Sequence, residues 1–273
     1  MPSPAWRRAH WLTTFAIVAI CKLHRQVCRR YPRQTKALRS PANASESAAT
    51  IFKAGNGRQM AGSEFTFSET KMLFPTPLLK FQISDAERIN AALLDEIAER
   101  QGKEPGVLRS NYKGWHSELD FFARKEPAHV ELSSAIASAV QVAMKRVAGK
   151  TAQLDRVHLQ ISGWINVNPT GAYNNPHDHS GAFWSGSYYV RNNQPKGKGD
   201  VAGAIAFIDC RSPPAGSALI KAPALQTGYT ANPKAGELLI FPGTLKHWVH
   251  PNLSEEDRVS VAFNVFVLKG KAG

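Results

Sequence analysis

The chain has 273 residues, 43% of them hydrophobic and 20% charged, with a formal net charge of +13 and a pI near 9.8. That length supports one sizeable core or two small ones, and the composition excludes a disordered or fibrous chain. The basic balance would point to nucleic acid or an anionic membrane if it were spread over the body. It is not: residues 1–60 hold eleven Lys and Arg against the single acid Glu46, leaving 23 basic and 20 acidic residues for the remainder.

The nearly neutral body argues against nucleic acid as a partner. Of the three cysteines, Cys21 and Cys28 fall in the basic leader and only Cys210 in the body. A disulfide framework or a cysteine-based zinc site is therefore excluded there, which fits a reducing, cytoplasmic setting.

Residues 1–60 read as a leader, either disordered or targeting. Trp11 to Ile20 is a short apolar run behind Arg7 and Arg8, too short to span a bilayer. It is like the apolar region of a signal peptide without a clean cleavage site. The Arg-rich, acid-poor composition also suits an organelle transit peptide. Equally, translation could begin at Met60 or Met72, and membrane contact is expected only if the leader is retained. Residues 34–60 read as a disordered linker rich in Ser, Ala and Gly.

The pattern changes at Met72. "MLFPTPLLKFQI" predicts a short strand with prolines near its start. "SDAERINAALLDEIAERQ" predicts a helix capped by Ser84 or Asp85, with Ile89, Leu93 and Ile97 at helical spacing. "SNYKGWHSELDFF" reads as a loop carrying Trp115 and His116. "ELSSAIASAVQVAMKRVAGK" predicts a second amphipathic helix that ends in Lys, Arg and Gly149. Beyond residue 155 come five β-rich runs separated by Pro, Gly and Asn turns: "RVHLQISGWINVNP", "FWSGSYYV", "GAIAFID", "ELLIFPG" and "RVSVAFNVFVL". Helices followed by strands predict an antiparallel sandwich or barrel with helices on one face.

Two stretches carry chemistry. In "NNPHDHSGAF", an extended backbone turns His177 and His179 to one face and Asp178 to the other, so the two imidazoles can grip one ion. An isolated pair of this kind is more often a solvated turn. The second stretch, "GELLIFPGTLKHWVHPNLSEEDRVSVAFNVFV", shifts that balance. It supplies His247, with His250 as a competitor. Its last strand puts Arg258, Ser260, Ala262 and Asn264 on one face and Val259, Val261, Phe263 and Val265 on the other. A guanidinium with a neighbouring hydroxyl suits capture of a carboxylate. Asp209, Trp164, Trp184, Phe241, His116 and the "KGKGD" run read as structural or solvated. Asn166 and Tyr173 read as cavity lining or strand-end polar groups.

H-x-H, a distal histidine and Arg-x-Ser in this order resemble the Fe(II)/2-oxoglutarate-dependent dioxygenases. The closer similarity is to the 2-oxoglutarate–Fe(II) oxygenases whose first motif is H-x-H, and it covers roughly residues 72–268. The resemblance implies a double-stranded β-helix (jelly-roll) core over residues 72–270, with the N-terminal helices packed on one sheet. It implies Fe(II) on His177, His179 and His247. It also implies 2-oxoglutarate anchored by Arg258, Ser260 and Tyr189, with O₂ as co-substrate of an unnamed prime substrate. His179 stands where most of the wider superfamily has a carboxylate, and Asp178 is the alternative third ligand. The implied activity is hydroxylation coupled to decarboxylation of 2-oxoglutarate to succinate. A non-catalytic jelly roll that senses or scaffolds a carboxylate or metal is the alternative. Neither prime substrate nor oligomeric state is legible.

Overall fold

A computed structural model of the chain describes residues 66–194, 196–197 and 199–270. It divides into two units, Met1–Thr70 and Lys71–Gly273. In the first, residues 66–70 are described, all exposed and outside helix or strand. Residues 1–60, where a disordered or targeting leader is expected, lie outside the described residues. No helix among the described residues is long and apolar enough to cross a membrane.

The second unit opens with β1 (Leu79–Gln82), α1 (Ala86–Lys103), β2 (Asn111–Tyr112), β3 (Trp115–His116) and α2 (Pro127–Val147). Then come β4 (Val157–Asn168), β5 (Tyr173–His177), β6 (Trp184–Arg191), β7 (Ile205–Ile208), a short helix α3 (Ser217–Ile220), β8 (Gly228–Ala231), β9 (Glu237–Pro242), β10 (Lys246–Val249) and β11 (Arg258–Lys269). The strands form two antiparallel sheets: a major one ordered β1-β9-β6-β11-β4-β3 and a minor one ordered β2-β5-β10-β7-β8. From β4 onward the chain steps between them. β4, β6, β9 and β11 build the major sheet, and β5, β7, β8 and β10 the minor one. That winding is the double-stranded β-helix, mainly β with flanking helices.

Period-2 alternation fixes which side of the major sheet faces the helices. Val259, Val261, Phe263 and Val265 of β11 join Ile165 and Val167 of β4 and Tyr188 of β6 in the large core. The same core takes Ile89, Leu93 and Ile97 from α1 and Leu132, Ile136 and Val140 from α2. The opposite face of the sheet closes a smaller core with Tyr189, Ile205, Phe207, Leu239 and Phe241.

Three local expectations need correction. The first strand is confined to Leu79–Gln82, while Met72, Leu73 and Phe74 are exposed. Only the segment after the prolines pairs with β9, because proline cannot donate to the ladder. Asp85 holds the cap position of α1 in the left-handed region, at φ 52°, and its side chain makes no cap hydrogen bond. The expected loop at residues 110–122 holds β2, β3 and a 3-10 turn, Phe121–Ala123. These two-residue strands extend the edges of β5 and β4, and they are too short for alternation to be visible.

Candidate active site

β5 and β10 are paired so that His177 stands directly opposite His247. β5 ends at His177, so His179 lies in the turn that follows rather than on an extended strand. Its place is fixed from outside: the His179 backbone N donates to Gly243 O at 2.8 Å. Gly243 belongs to the β9–β10 turn, and an added Cβ there would sit 2.3 Å from Ala182 O. Only glycine lets the two turns approach this closely.

The result is a cluster of three imidazoles. Ring centroids are 5.0 Å apart for His177 and His179, 4.5 Å for His177 and His247, and 5.3 Å for His179 and His247. One ligand atom from each lies within 4.8 Å of the others. Phe241 backs His247 at 4.9 Å and Trp164 flanks His179 at 5.6 Å. Burial, with a smaller contribution from neighbouring His177, pushes the His179 imidazole down to about 4 and the His247 imidazole down to about 3. Both are thus held in the neutral form a ligand requires.

His177 Nδ1 lies 2.6 Å from Asn175 O and His247 Nδ1 2.9 Å from Leu245 O. A carbonyl only accepts, so each Nδ1 carries the proton and Nε2 keeps its lone pair.

The major sheet forms the far wall. Arg258 is 2% exposed, with Nε donating to Gly203 O at 2.9 Å and Nη1 to Ser260 Oγ at 3.1 Å. Its guanidinium lies 5.1 Å from the Tyr189 ring centroid. No carboxylate is paired with it among the described residues. Burial pushes Arg258 below its usual range, partly opposed by Tyr189, and burial pushes the Tyr189 hydroxyl up. The Tyr189 hydroxyl is fully buried beside the Arg258 guanidinium and Ser187. His177, His179, His247, Arg258 and Ser260 line one cavity. A buried cation without a counter-ion suits an anionic occupant with acceptor oxygens.

Other candidates fall elsewhere. Asp178 is exposed, its carboxylate accepting from Ser180 N at 3.1 Å and Ser180 Oγ at 2.5 Å, outside the histidine cluster. His250 packs on Trp248, with ring centroids 3.9 Å apart. Asp209 is paired with Arg211, whose hydrogen bond draws the carboxyl down to about 2. Trp184 is core and Tyr173 stacks on Tyr112 at 4.8 Å. His116 is buried against Trp164, with its Nδ1 on Ser117 O.

Trp164 and Phe241 depart from the expectation of plain core: both line the cavity. Asn166 lines it too, and its Oδ1 is buried without a partner. The signal for these residues was the alternation in β4, where Trp164, Asn166 and Asn168 interleave with Ile165 and Val167. In register, Asn166 faces Ser260, and Ser260 faces Tyr189; Asn166 and Ser260 line the cavity, while Tyr189 is buried in the smaller core beside Arg258.

Comparison with known proteins adds the family. Residues 162–264 match a family model described as "Putative 2OG-Fe(II) oxygenase". No curated protein sequence matches the chain. Among solved structures, the chain is similar to the non-heme α-ketoglutarate-dependent epimerase SnoN of nogalamycin biosynthesis. That match has a TM-score of 0.50 at 11% identity, over 71% of this chain and 80% of that one. HygX of Streptomyces hygroscopicus, solved with nickel, 2-oxoglutarate and hygromycin B, matches at a TM-score of 0.49 and 12% identity, over 72% and 84%. A prolyl-4-hydroxylase of Pseudomonas putida matches at 0.46 and 11%, over 71% and 93%. At these identities the structures speak to the fold alone. The family match runs from within β4 to within β11 and includes all three clustered histidines, Arg258 and Ser260. Residues 162–264 form a domain of the 2OG-Fe(II) oxygenase family, and the chain is an enzyme of that class, using 2-oxoglutarate and O₂ as co-substrates.

Proposed function

We propose that residues 72–270 form a hydroxylase domain in which His177, His179 and His247 hold Fe(II), while Arg258, Ser260 and Tyr189 anchor 2-oxoglutarate. The observation that carries this reading is the shared cavity: three clustered imidazoles on one side and a buried, unpaired guanidinium on the other. When bound, iron with 2-oxoglutarate and O₂ supplies the oxidising power to replace C–H by C–OH, releasing succinate and CO₂. The chain contributes position and surroundings.

His177 and His247 arrive with Nδ1 protonated by contact with backbone carbonyls, so neither has to reorganise to present Nε2. Three neutral ligands leave a divalent ion at +2, which the dianion of 2-oxoglutarate neutralises. A carboxylate in place of His179 would leave the assembly negative. Arg258 is held by Gly203 O and Ser260 Oγ before any ligand arrives, so little orientation entropy is lost on binding. Tyr189 brings a buried hydroxyl beside that guanidinium, a second donor for a bound carboxylate. Phe241, Trp164, Ile205 and Val249 add apolar surface to the cavity, and Asn166, Asn174 and Ser187 add polar groups.

The test is anaerobic addition of Fe(II) and then 2-oxoglutarate to the purified protein, followed by air and measurement of succinate. A visible charge-transfer band, lost in Arg258→Ala at the same ligand concentration, is the expected result. Absence of iron binding by folded wild type would overturn the assignment.

A further inference from the structure

We propose that Asn264 is a positioning residue that sets which ring nitrogen of His179 carries the proton, with Ser185 holding its amide. The inference rests on the reading of His179 as a metal ligand. It starts from a difference among the three histidines. His177 and His247 each place Nδ1 on a backbone carbonyl two residues earlier, at 2.6 and 2.9 Å. His179 Nδ1 instead lies 3.4 Å from Asn264 Nδ2, the nitrogen end of a side-chain amide. A carbonyl permits one tautomer only. A primary amide has a donor end and an acceptor end, and the two are exchanged by a half-turn.

The tautomer decides whether His179 can be a ligand through Nε2. With the amide nitrogen toward the ring, Nδ1 must accept, the proton sits on Nε2, and that nitrogen has no lone pair for a metal. With the amide oxygen toward the ring, Nδ1 donates and Nε2 is free. The 3.4 Å contact is the longest of the three, as befits nitrogen facing nitrogen. Asn264 stands opposite Ser185 across the β11–β6 pair, and Ser185 Oγ lies 2.7 Å from the other end of the amide. A hydroxyl donates to an amide oxygen or accepts from an amide nitrogen equally well. Ser185 therefore holds the amide in place without fixing its direction.

The orientation that satisfies a metal-ligating ring puts Asn264 Oδ1 on His179 Nδ1–H and Asn264 Nδ2 on Ser185 Oγ. Asn264 does for His179 what the carbonyls of Asn175 and Leu245 do for the other two rings. It does so from the opposite sheet, because the turn after β5 leaves His179 without a carbonyl of its own.

The experiment uses full-length protein labelled with ¹⁵N-histidine. It reads the imidazole tautomers of the metal-free form by long-range ¹H–¹⁵N correlation, with His179→Ala to assign the resonances. Fe(II) affinity is measured anaerobically on the same samples, for wild type, Asn264→Asp and Asn264→Leu, with circular dichroism as the control for folding. Asparagine and aspartate are isosteric, and a carboxylate can only accept, so Asn264→Asp locks the proton on Nδ1. The expected result is His179 protonated on Nδ1 in wild type and Asn264→Asp. Asn264→Leu is expected to show mixed tautomers and Fe(II) affinity weaker by about 10- to 100-fold. Two results overturn the inference: Nε2–H on His179 in wild type, or wild-type tautomer and Fe(II) affinity in Asn264→Leu. Wild type that binds no Fe(II) would sink the proposed function, and the metal-free tautomer would still decide the role of Asn264.

Discussion

Ser260 faces Tyr189 across the β11–β6 pair, although the preceding residue, Val259, faces Arg191. Val190 is the extra residue of a bulge, and the alternation of β6 breaks there. In an unbroken ladder Val190 would face Ser260, and Tyr189 would turn toward the helices. The bulge instead sends Tyr188 to the helix-facing core and Tyr189 to the cavity side.

The buried Tyr189 hydroxyl gives the first prediction. In Tyr189→Phe the ring stays and only the contacts of the hydroxyl with Ser187 and Arg258 are lost, so stability should fall by no more than about 1–2 kcal/mol. Affinity for 2-oxoglutarate should fall by roughly ten- to a hundredfold, as expected for a lost hydrogen bond of about 1.5–3 kcal/mol to a charged group. Calorimetric titration with Fe(II) present reads the second effect. Unchanged affinity would remove Tyr189 from the ligand site.

Arg258 should separate binding from folding in the same way. Its charge is buried without an acid, so Arg258→Met relieves a desolvation cost while leaving Gly203 O without its donor. These effects oppose one another, and stability should change by less than about 2 kcal/mol. Binding of 2-oxoglutarate should fall by about a hundredfold or more. Arg258→Lys restores a charge without the planar fork, and its affinity should lie between the two. Denaturant unfolding and ligand titration on the same samples check both statements.

Asp178 was the alternative ligand in the sequence, and its exposed carboxylate is occupied by Ser180. Asp178→Asn should leave Fe(II) affinity within about twofold of wild type, whereas His179→Ala should lose most of it. A large loss in Asp178→Asn, measured by anaerobic titration, would reinstate it as a ligand.

Much of the site was legible because the informative residues lie where spacing translates directly into geometry. Alternation along β11 was enough to put Arg258 and Ser260 on one face and four apolar residues on the other. The pairing of His177 with His247 was not legible, since register depends on how β5 and β10 meet, seventy residues apart in the chain. The bulge at Val190, the anchoring of His179 by Gly243 and the contact between Asn264 and His179 all depend on such long-range meetings. Trp164 and Phe241 read as core in the sequence because an aromatic residue lining a cavity has the same local sequence as one packed in a core. The strands β2 and β3 were invisible for a simpler reason: two residues carry no period.

Two histidines away from the cluster add to the acid-side loss of stability that the lowered His179 and His247 imidazoles also produce. Burial lowers His116 and His129 below the ordinary value of 6.5, with Glu96 opposing the shift at His129. His129 is 2% exposed, with Nδ1 on Glu96 Oε2 at 2.7 Å and Nε2 buried without a partner. A lowered folded-state pKa means that the unfolded chain takes up protons that the folded protein refuses. Stability is therefore unaffected above the ordinary histidine range and falls as pH drops through it toward the lowered values. Denaturant midpoints measured from about pH 8 to about pH 5 should decline on the acid side. In His129→Gln, which can still donate to Glu96, the decline should be shallower. An identical slope would show that His129 binds protons equally in both states.

Close packing across the major sheet gives the last prediction. Gly186 of β6 lies between Phe263 of β11 and the backbone of β9. An added Cβ there would sit 2.2 Å from Phe263 Cζ and 2.7 Å from Leu239 O. The phenyl ring is buried in the large core and the carbonyl belongs to a sheet ladder, so neither can give way cheaply. Gly186→Ala should destabilise the domain by about 1–3 kcal/mol or more, despite alanine's advantage over glycine in a strand. Trimming the obstruction in Gly186→Ala/Phe263→Leu should recover part of that loss, so the two substitutions should not add. Denaturant unfolding of the two single variants and the double variant measures the coupling. Strict additivity would mean that the Leu239 carbonyl, rather than the phenyl ring, excludes the methyl group.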